Sequence, residues 1–267
     1  MNLAHRVSLG GVQLDEIDPR IIIKGIECSS GKDNVTTVPT GRGDGTRITG
    51  KRRESVEVQV KFSMNIRRDT MEERAEVLEA VNAWAVAGGW LRINYKPNRR
   101  MYADEVVTPG EGDLWKRLSE YTIIFRAHAI PFWTENSAVS AVTKTSKEAG
   151  GTITAAGSAE TPAELTLENM SGALINQAEI TINGYKMTFE ALGLEANESL
   201  VIDHSITKGK FVIRIRIRNA AGNYRSILAK RTEDSADEFM MAPGENAFSF
   251  SAQRACRLTV NCRGRFV

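Results

Sequence analysis

The chain has 267 residues, 42% hydrophobic and 25% charged. That composition excludes a disordered or fibrous protein and leaves room for two ordinary domains or one large β domain. A formal net charge of +2, spread evenly over both halves, does not announce a nucleic-acid binder. The N-terminal residues contain no apolar core of signal-peptide length, and no long apolar run occurs anywhere. The expectation is a chain made and kept in the cytosol at least initially, with no membrane insertion. Cys28, Cys256 and Cys262 are odd in number and lack metal-site spacing, so reduced, partly buried thiols are expected.

In chain order, Val7-Ser8-Leu9, Val12-Gln13-Leu14 and Ile21-Ile22-Ile23 read as strands between turns. The unbroken apolar run at Ile21–Ile23 suggests burial on both faces. Ser29 to Gly50 is polar and glycine-rich, which predicts a long loop or an extended hairpin tip. Val56, Val58, Val60, Phe62, Met64 and Ile66 then alternate with Glu57, Gln59, Lys61, Ser63 and Asn65, the period of a half-buried strand. Thr70 with Glu73 makes a capping box for a helix over 70–87, with Met71, Ala75, Leu78 and Val81 inward and Gly88-Gly89 as the stop. Strands are expected again at Trp90–Tyr95, Arg100–Val107 and Tyr121–Ala129, the last ending at Ile130-Pro131-Phe132-Trp133.

Thr134 to Ala156 is rich in Ser, Thr, Ala and Gly, and a linker or arm is expected there. Beyond it, short strands recur without a helical period: 165–167, 179–182, 187–189, 200–202, 211–218, 239–241, 247–250 and 258–267. This spacing predicts an antiparallel β-sandwich over 157–267.

No reaction centre emerges from the motifs. There is no His-Glu-x-x-His, Cys-x-x-Cys or nucleophile elbow, so neither catalysis nor a metal or other cofactor is expected. His5, His128 and His204 lie in three separate segments and read as hydrogen-bonded structural residues. Gly25 to Lys32 fails as a phosphate loop because the first glycine is misplaced and Asp33 stands where a hydroxyl is needed. Arg42-Gly43-Asp44 spells an adhesion tripeptide on a loop, with a simple turn as the plainer reading. Asn34, Asn169 and Asn197 begin glycosylation triplets that read as surface turns. Arg214, Arg216 and Arg218 alternate with Ile213, Ile215 and Ile217, which sets three guanidinium groups about 7 Å apart on one strand face. That face suits a phosphate backbone or an acidic partner, or is a solvated surface. Carbohydrate binding by the second half lacks an aromatic platform, since Trp84, Trp90, Trp115 and Trp133 all precede the linker.

The order of these segments resembles the distal tail protein (Dit) family of long-tailed phages. The matching features in the first half are Gly41-Arg42-Gly43-Asp44-Gly45, the strand Val56–Ile66, the helix Thr70–Ala87 and Ala129-Ile130-Pro131-Phe132-Trp133. In the second they are Gly157-Ser158-Ala159-Glu160-Thr161-Pro162, Ile180-Thr181-Ile182-Asn183-Gly184, Leu200-Val201-Ile202-Asp203 and Pro243-Gly244-Glu245-Asn246. The resemblance implies a mainly β protein. Its N-terminal domain (1–133) would be a tube-protein-like β-sandwich or split barrel with one helix that assembles into a homo-hexameric ring through which the genome passes. Its C-terminal domain would be a galectin-like sandwich. The implied partners are the tail tube protein and tail-tip, fibre or receptor-binding proteins, in a virion assembled in the host cytoplasm. On this reading Glu57, Gln59 and Lys61 face either the channel or a neighbouring subunit, with ordinary solvated sheet as the plain alternative. A host-surface, carbohydrate-binding module is the rival function. Asn197, where members often carry Gly, fits a left-handed turn.

Overall fold

The chain divides into two units, Met1–Trp133 and Thr134–Val267. A computed structural model describes residues 5–29, 31, 33–39, 46–64, 70–110, 120–207 and 210–267. Within the first unit, β1 (Val7–Leu9), β2 (Val12–Gln13) and the short α1 (Leu14–Ile17) precede β3 (Ile21–Cys28), β4 (Asp33–Pro39), β5 (Thr46–Arg53) and β6 (Val56–Met64). Helix α2 (Met71–Val86) leads to β7 (Gly89–Ile93), β8 (Arg99–Ala103), β9 (Glu105–Val107) and β10 (Glu120–Ala127).

These strands form one sheet ordered β2-β1-β7-β8 and another ordered β3-β6-β10-β9, with β4 and β5 as a separate two-stranded hairpin. Alternation in β6 does what its period dictates. Val56, Val58, Val60 and Phe62 are fully buried, while Glu57, Gln59, Lys61 and Ser63 stay half-exposed. Antiparallel β10 runs alongside in register from Ala127 opposite Val56 to Glu120 opposite Ser63, adding Tyr121, Ile123 and Phe125 to the same core face. Phe62 and Tyr121 stack at 5.4 Å between ring centroids.

The capping box of α2 is formed: Glu73 N donates to Thr70 Oγ1 and Thr70 N to Glu73 Oε2. The helix buries Val77, Leu78, Val81 and Ala85. Trp84 meets Phe125 edge-on at 5.9 Å and donates its indole N–H to the Val12 carbonyl, so the helix touches both sheets. Met71, expected inside, is 39% exposed, because the buried stripe begins one turn later. Gly88, at φ +63°, stops the helix by donating to Ala85 O.

Three further expectations are corrected in this unit. Ile22 is exposed, because β3 is an edge strand and its run of isoleucines is covered on one face only. The single strand expected over 100–107 breaks at Asp104 into β8 and β9, which belong to different sheets. Asp104 makes the break, its carboxylate accepting from the backbone N–H groups of His128 and Ala129. Helix α1 was hidden in a turn-like acidic segment; Gln13 and Glu16 cap it reciprocally.

Strand β11 (Trp133–Glu135) crosses into the second unit, which continues with β12 (Val139–Val142), β13 (Ser146–Ala155), β14 (Thr161–Pro162), β15 (Glu164–Asn169), β16 (Ala178–Ile182) and β17 (Tyr185–Phe189). The chain ends with β18 (Ser199–Thr207), β19 (Lys210–Arg218), β20 (Tyr224–Ser226), β21 (Met240–Met241), β22 (Gly244–Cys262) and β23 (Arg265–Phe266). Strand β22, 19 residues long, is the spine of the unit. It pairs with β13 and β12 along one edge and with β16 and β15 along the other, and the sheet continues through β18 and β19 to β20. The apolar alternation of these strands builds one core, including Leu165, Ile180, Phe189, Ile202, Ile217 and Leu258.

The linker expected over 134–156 is corrected to paired strand. Its small residues are there for close packing: a Cβ on Gly150 would come within 2.8 Å of the Phe248 carbonyl oxygen, and one on Gly151 within 3.0 Å of the Phe248 ring. The turn at Asn183-Gly184 is formed with both residues at positive φ, and Asn197 sits at φ +62°, the left-handed turn expected of it. Asn169 is not a surface-turn residue. It is buried, donating to the carbonyls of Ala173, Leu194 and Glu195 while its own carbonyl accepts from Ser171.

Candidate interaction faces

On the polar side of the β3-β6-β10-β9 sheet, side chains from all four strands meet. Lys61 donates to Glu27 of β3 at 2.5 Å. Gln59 donates to Glu57 at 2.7 Å, and Arg126 of β10 spans Glu57 at 2.9 Å and Glu105 of β9 at 2.8 Å. His128 closes the row against the other oxygen of Glu105 at 2.5 Å. Hydrogen bonds from Gln59 and then Arg126 hold the Glu57 carboxyl below its ordinary pKa, and those from His128 and Arg126 do the same for Glu105. The Lys61 ammonium is raised by its bond to Glu27. The result is a ladder of partly exposed ion pairs in which Lys61 and Arg126 each have a carboxylate. Sequence patterning marked Glu57, Gln59 and Lys61 but missed Glu27 and Glu105. Their signal lay in sheet order, since neither strand shows a clean alternation of its own.

The hairpin β4–β5 stands apart from both sheets. All seven residues of β4 are exposed, and Val35, Val38 and Ile48 are 40%, 44% and 62% exposed. At its base Arg53 donates to the Pro131 carbonyl and lies over the Phe132 ring. The two adhesion-tripeptide residues singled out in the sequence, Arg42 and Asp44, lie outside the described residues.

In the second unit, the basic face of β19 is real but unevenly compensated. Asp203, opposite Arg214 on β18, accepts two bonds from Arg214 at 2.8 and 3.1 Å and one from Arg216 at 2.6 Å. Arg216 also stacks on Tyr224 of β20, 4.0 Å from the ring centroid. Arg218 is exposed, and no hydrogen bond or ion pair holds its side chain among the described residues.

Beneath the far end of the same strand pair, the His204 side chain is 2% exposed and stacks flat on Phe211 at 4.7 Å. The hydrogen-bonded role expected of it is corrected: neither ring nitrogen has a hydrogen-bond partner among the described residues, and Glu238 stands 3.6 Å from Nε2. Burial first, then the nearby Arg265 charge, lowers its pKa to about 4. His128, by contrast, is bonded as expected. All three cysteines are free thiols, with Cys256 and Cys262 buried and Cys28 exposed.

Among the described residues no cluster of His, Cys, Asp or Glu is arranged to hold a metal, and no helix is long and apolar enough to cross a membrane. The architecture is that of a mainly β protein of two sheet-built units, with networks of paired charge on its polar faces. Its fold is similar to that of a solved Dit protein. The crystal structure of the Dit protein of phage SPP1, described as a paradigm of the hub adsorption apparatus in phages infecting Gram-positive bacteria, superposes with a TM-score of 0.68. The match is at 14% identity and covers 98% of this chain and 99% of that one. A chain of the phage P2 baseplate in its activated conformation, solved with calcium and again with strontium, matches at a TM-score of 0.50 and 7% identity over the same shares. No family model and no curated protein matches the sequence.

Proposed function

We propose that this protein is the structural hub of a phage tail tip, working by assembly and not by catalysis. Six copies of the first unit form a ring that continues the tail tube and lets the genome through. The second unit, as a galectin-like sandwich, is the platform for tail-tip, fibre or receptor-binding proteins of the virion, and the particle is put together in the host cytoplasm. The observation that carries this reading is the β3-β6-β10-β9 sheet, apolar on one side and ion-paired on the other, with β3 and β9 as edges that carry no further strand among the described residues. An open edge seeks a partner strand. Head-to-tail pairing of one copy's β9 edge with the next copy's β3 is heterologous and closes into a ring at the right rotation. The exposed hairpin β4–β5 supports the same reading, because a lone two-stranded hairpin is marginal in water and gains stability by lying against a neighbour.

The charge ladder suits the ring's inner wall. Unpaired Lys and Arg would hold DNA phosphates by counterion release. Here each of Lys61 and Arg126 is already held by a carboxylate, so the wall is wetted without gripping the passing polyanion. Electron microscopy of the purified protein with its tube and tip partners tests the proposal. Six-fold rings are the expected result, and a strictly monomeric chain in that mixture would refute it.

A second reading, sugar binding by the second unit, is favoured by two adjoining polar grooves of about 350 and 360 Å³ that share Glu179 and Ser251. Hydroxyl, amide and carboxylate groups suit vicinal sugar hydroxyls. A glycan array probed with the whole chain, giving saturable binding lost in Glu179→Ala, would promote this reading over the platform.

A further inference from the structure

The outer face of β19 and β20 combines four features that a merely solvated strand does not need together. First, Arg214 and Arg216 share a single acid, Asp203, and Arg218 has no acid partner among the described residues, so the row is left with excess positive charge. Second, the Nε of Arg216 is buried and has no hydrogen-bond partner among the described residues, although its Nη2 is fixed on Asp203 and its plane on Tyr224. Third, Arg218 stands exposed directly opposite Tyr224, itself 49% exposed. Fourth, β20 is an edge strand: its three residues are all exposed, and it pairs only with β19 among the described residues.

We propose that this edge is a docking strip for an acidic, extended segment of a partner protein. The segment adds to β20 as a further antiparallel strand and points alternate carboxylates at Arg216 and Arg218. Residues two apart on a strand lie about 7 Å apart, so carboxylates on alternate positions of the added strand repeat with the same spacing as the arginines. Asp203 sets the Arg214 and Arg216 planes in advance, which lowers the ordering cost of binding. The main-chain groups of the β20 edge discriminate the partner. A strand both donates to and accepts from them, whereas a phosphodiester can only accept, and this favours a peptide over a nucleic acid or a cell-wall polymer.

The inference rests on the reading of the second unit as a platform, yet its test is separate from ring assembly. The full chain is titrated with a labelled short peptide of alternating Glu and Thr, with a peptide of the same composition whose Glu residues are clustered, and with inorganic polyphosphate. The alternating peptide should bind most tightly, and Arg218→Ala and Arg216→Ala should each weaken it about tenfold, as for a lost charge-assisted bond. Lys147→Ala, on the exposed face of β13, should leave it unchanged. Circular dichroism confirms that each variant is folded. Equal binding of the two peptides, tighter binding of polyphosphate, or no peptide binding would each overturn the inference. Rings that persist alongside any of those results would leave the hub reading standing.

Discussion

Strands β6 and β19 carry the same pattern, apolar residues alternating with charged ones, and they end in opposite electrostatic states. Around β6 each cation meets a carboxylate on an adjacent strand: Glu27 of β3 for Lys61 of β6, and Glu57 of β6 with Glu105 of β9 for Arg126 of β10. On β19 one aspartate serves two arginines, and a third, Arg218, has no acid partner among the described residues. Both strands turn their apolar residues inward, β6 along its whole length and β19 most fully at Ile215 and Ile217, so the contrast on the polar side lies in what the flanking strands bring. Alternation fixes which residues face outward. Only sheet order decides whether that outward face is closed on itself or open to a partner.

The largest effect should come from breaking the shared half of the pattern. Val60→Asp or Phe62→Asp sets a charge in the fully buried face of β6. The cost, on the order of 4 kcal/mol or more, is a large part of a domain's stability, so the first unit should fail to fold. Solubility and circular dichroism check this. Equal tolerance of Asp at Val60 and at Gln59 would show the two faces to be wrongly assigned.

Next in size is a pH effect confined to the β18–β19 side. His204 is held neutral by burial, among Arg265, Asp203, Arg214 and Glu238, so the unfolded chain takes up the proton first. Its contribution is complete above the ordinary histidine pKa of 6.5 and is lost as pH falls toward about 4. The span corresponds to about 3 kcal/mol. His204→Phe keeps the stack on Phe211 and should flatten the pH dependence of the denaturation midpoint across that window.

Smaller effects separate the two polar faces directly. Arg126→Ala removes the cation shared by Glu57 and Glu105 and should cost only a small part of the stability, since the pairs are partly exposed. Both carboxyls have lowered pKa values, so their contribution is present above the ordinary carboxylate range and fades as pH falls through the lowered values. The deficit of Arg126→Ala in urea melts should therefore shrink in acid. Asp203→Asn should cost a similar amount or less while loosening Arg214 and Arg216, visible as a weaker salt dependence of stability. Gln59→Ala should leave the fold intact.

How much could be read in advance follows the same physics. The faces of β6, the capping box of α2, the Asn183-Gly184 turn and the Asn197 turn were legible because each depends on residues close in sequence. Strand β22 was not, because its middle, Ser251 to Ala255, is a run of small and polar residues with no apolar alternation to mark it as strand. Its partner β13 read as a linker for the related reason that Gly150 and Gly151 are small to let Phe248 approach. Glu27, Glu105 and Asp203 became site residues only through strand neighbours set by the fold, and the stacking of His204 on Phe211 depends on the β18–β19 register.

In the proposed hub the first unit closes into a ring through its open sheet edges. Electron microscopy of the full chain combined with its tail-tube and tail-tip partners tests it most directly. Six-fold rings with the β6 polar face lining the channel are the expected result. A chain that stays monomeric in that mixture would contradict it.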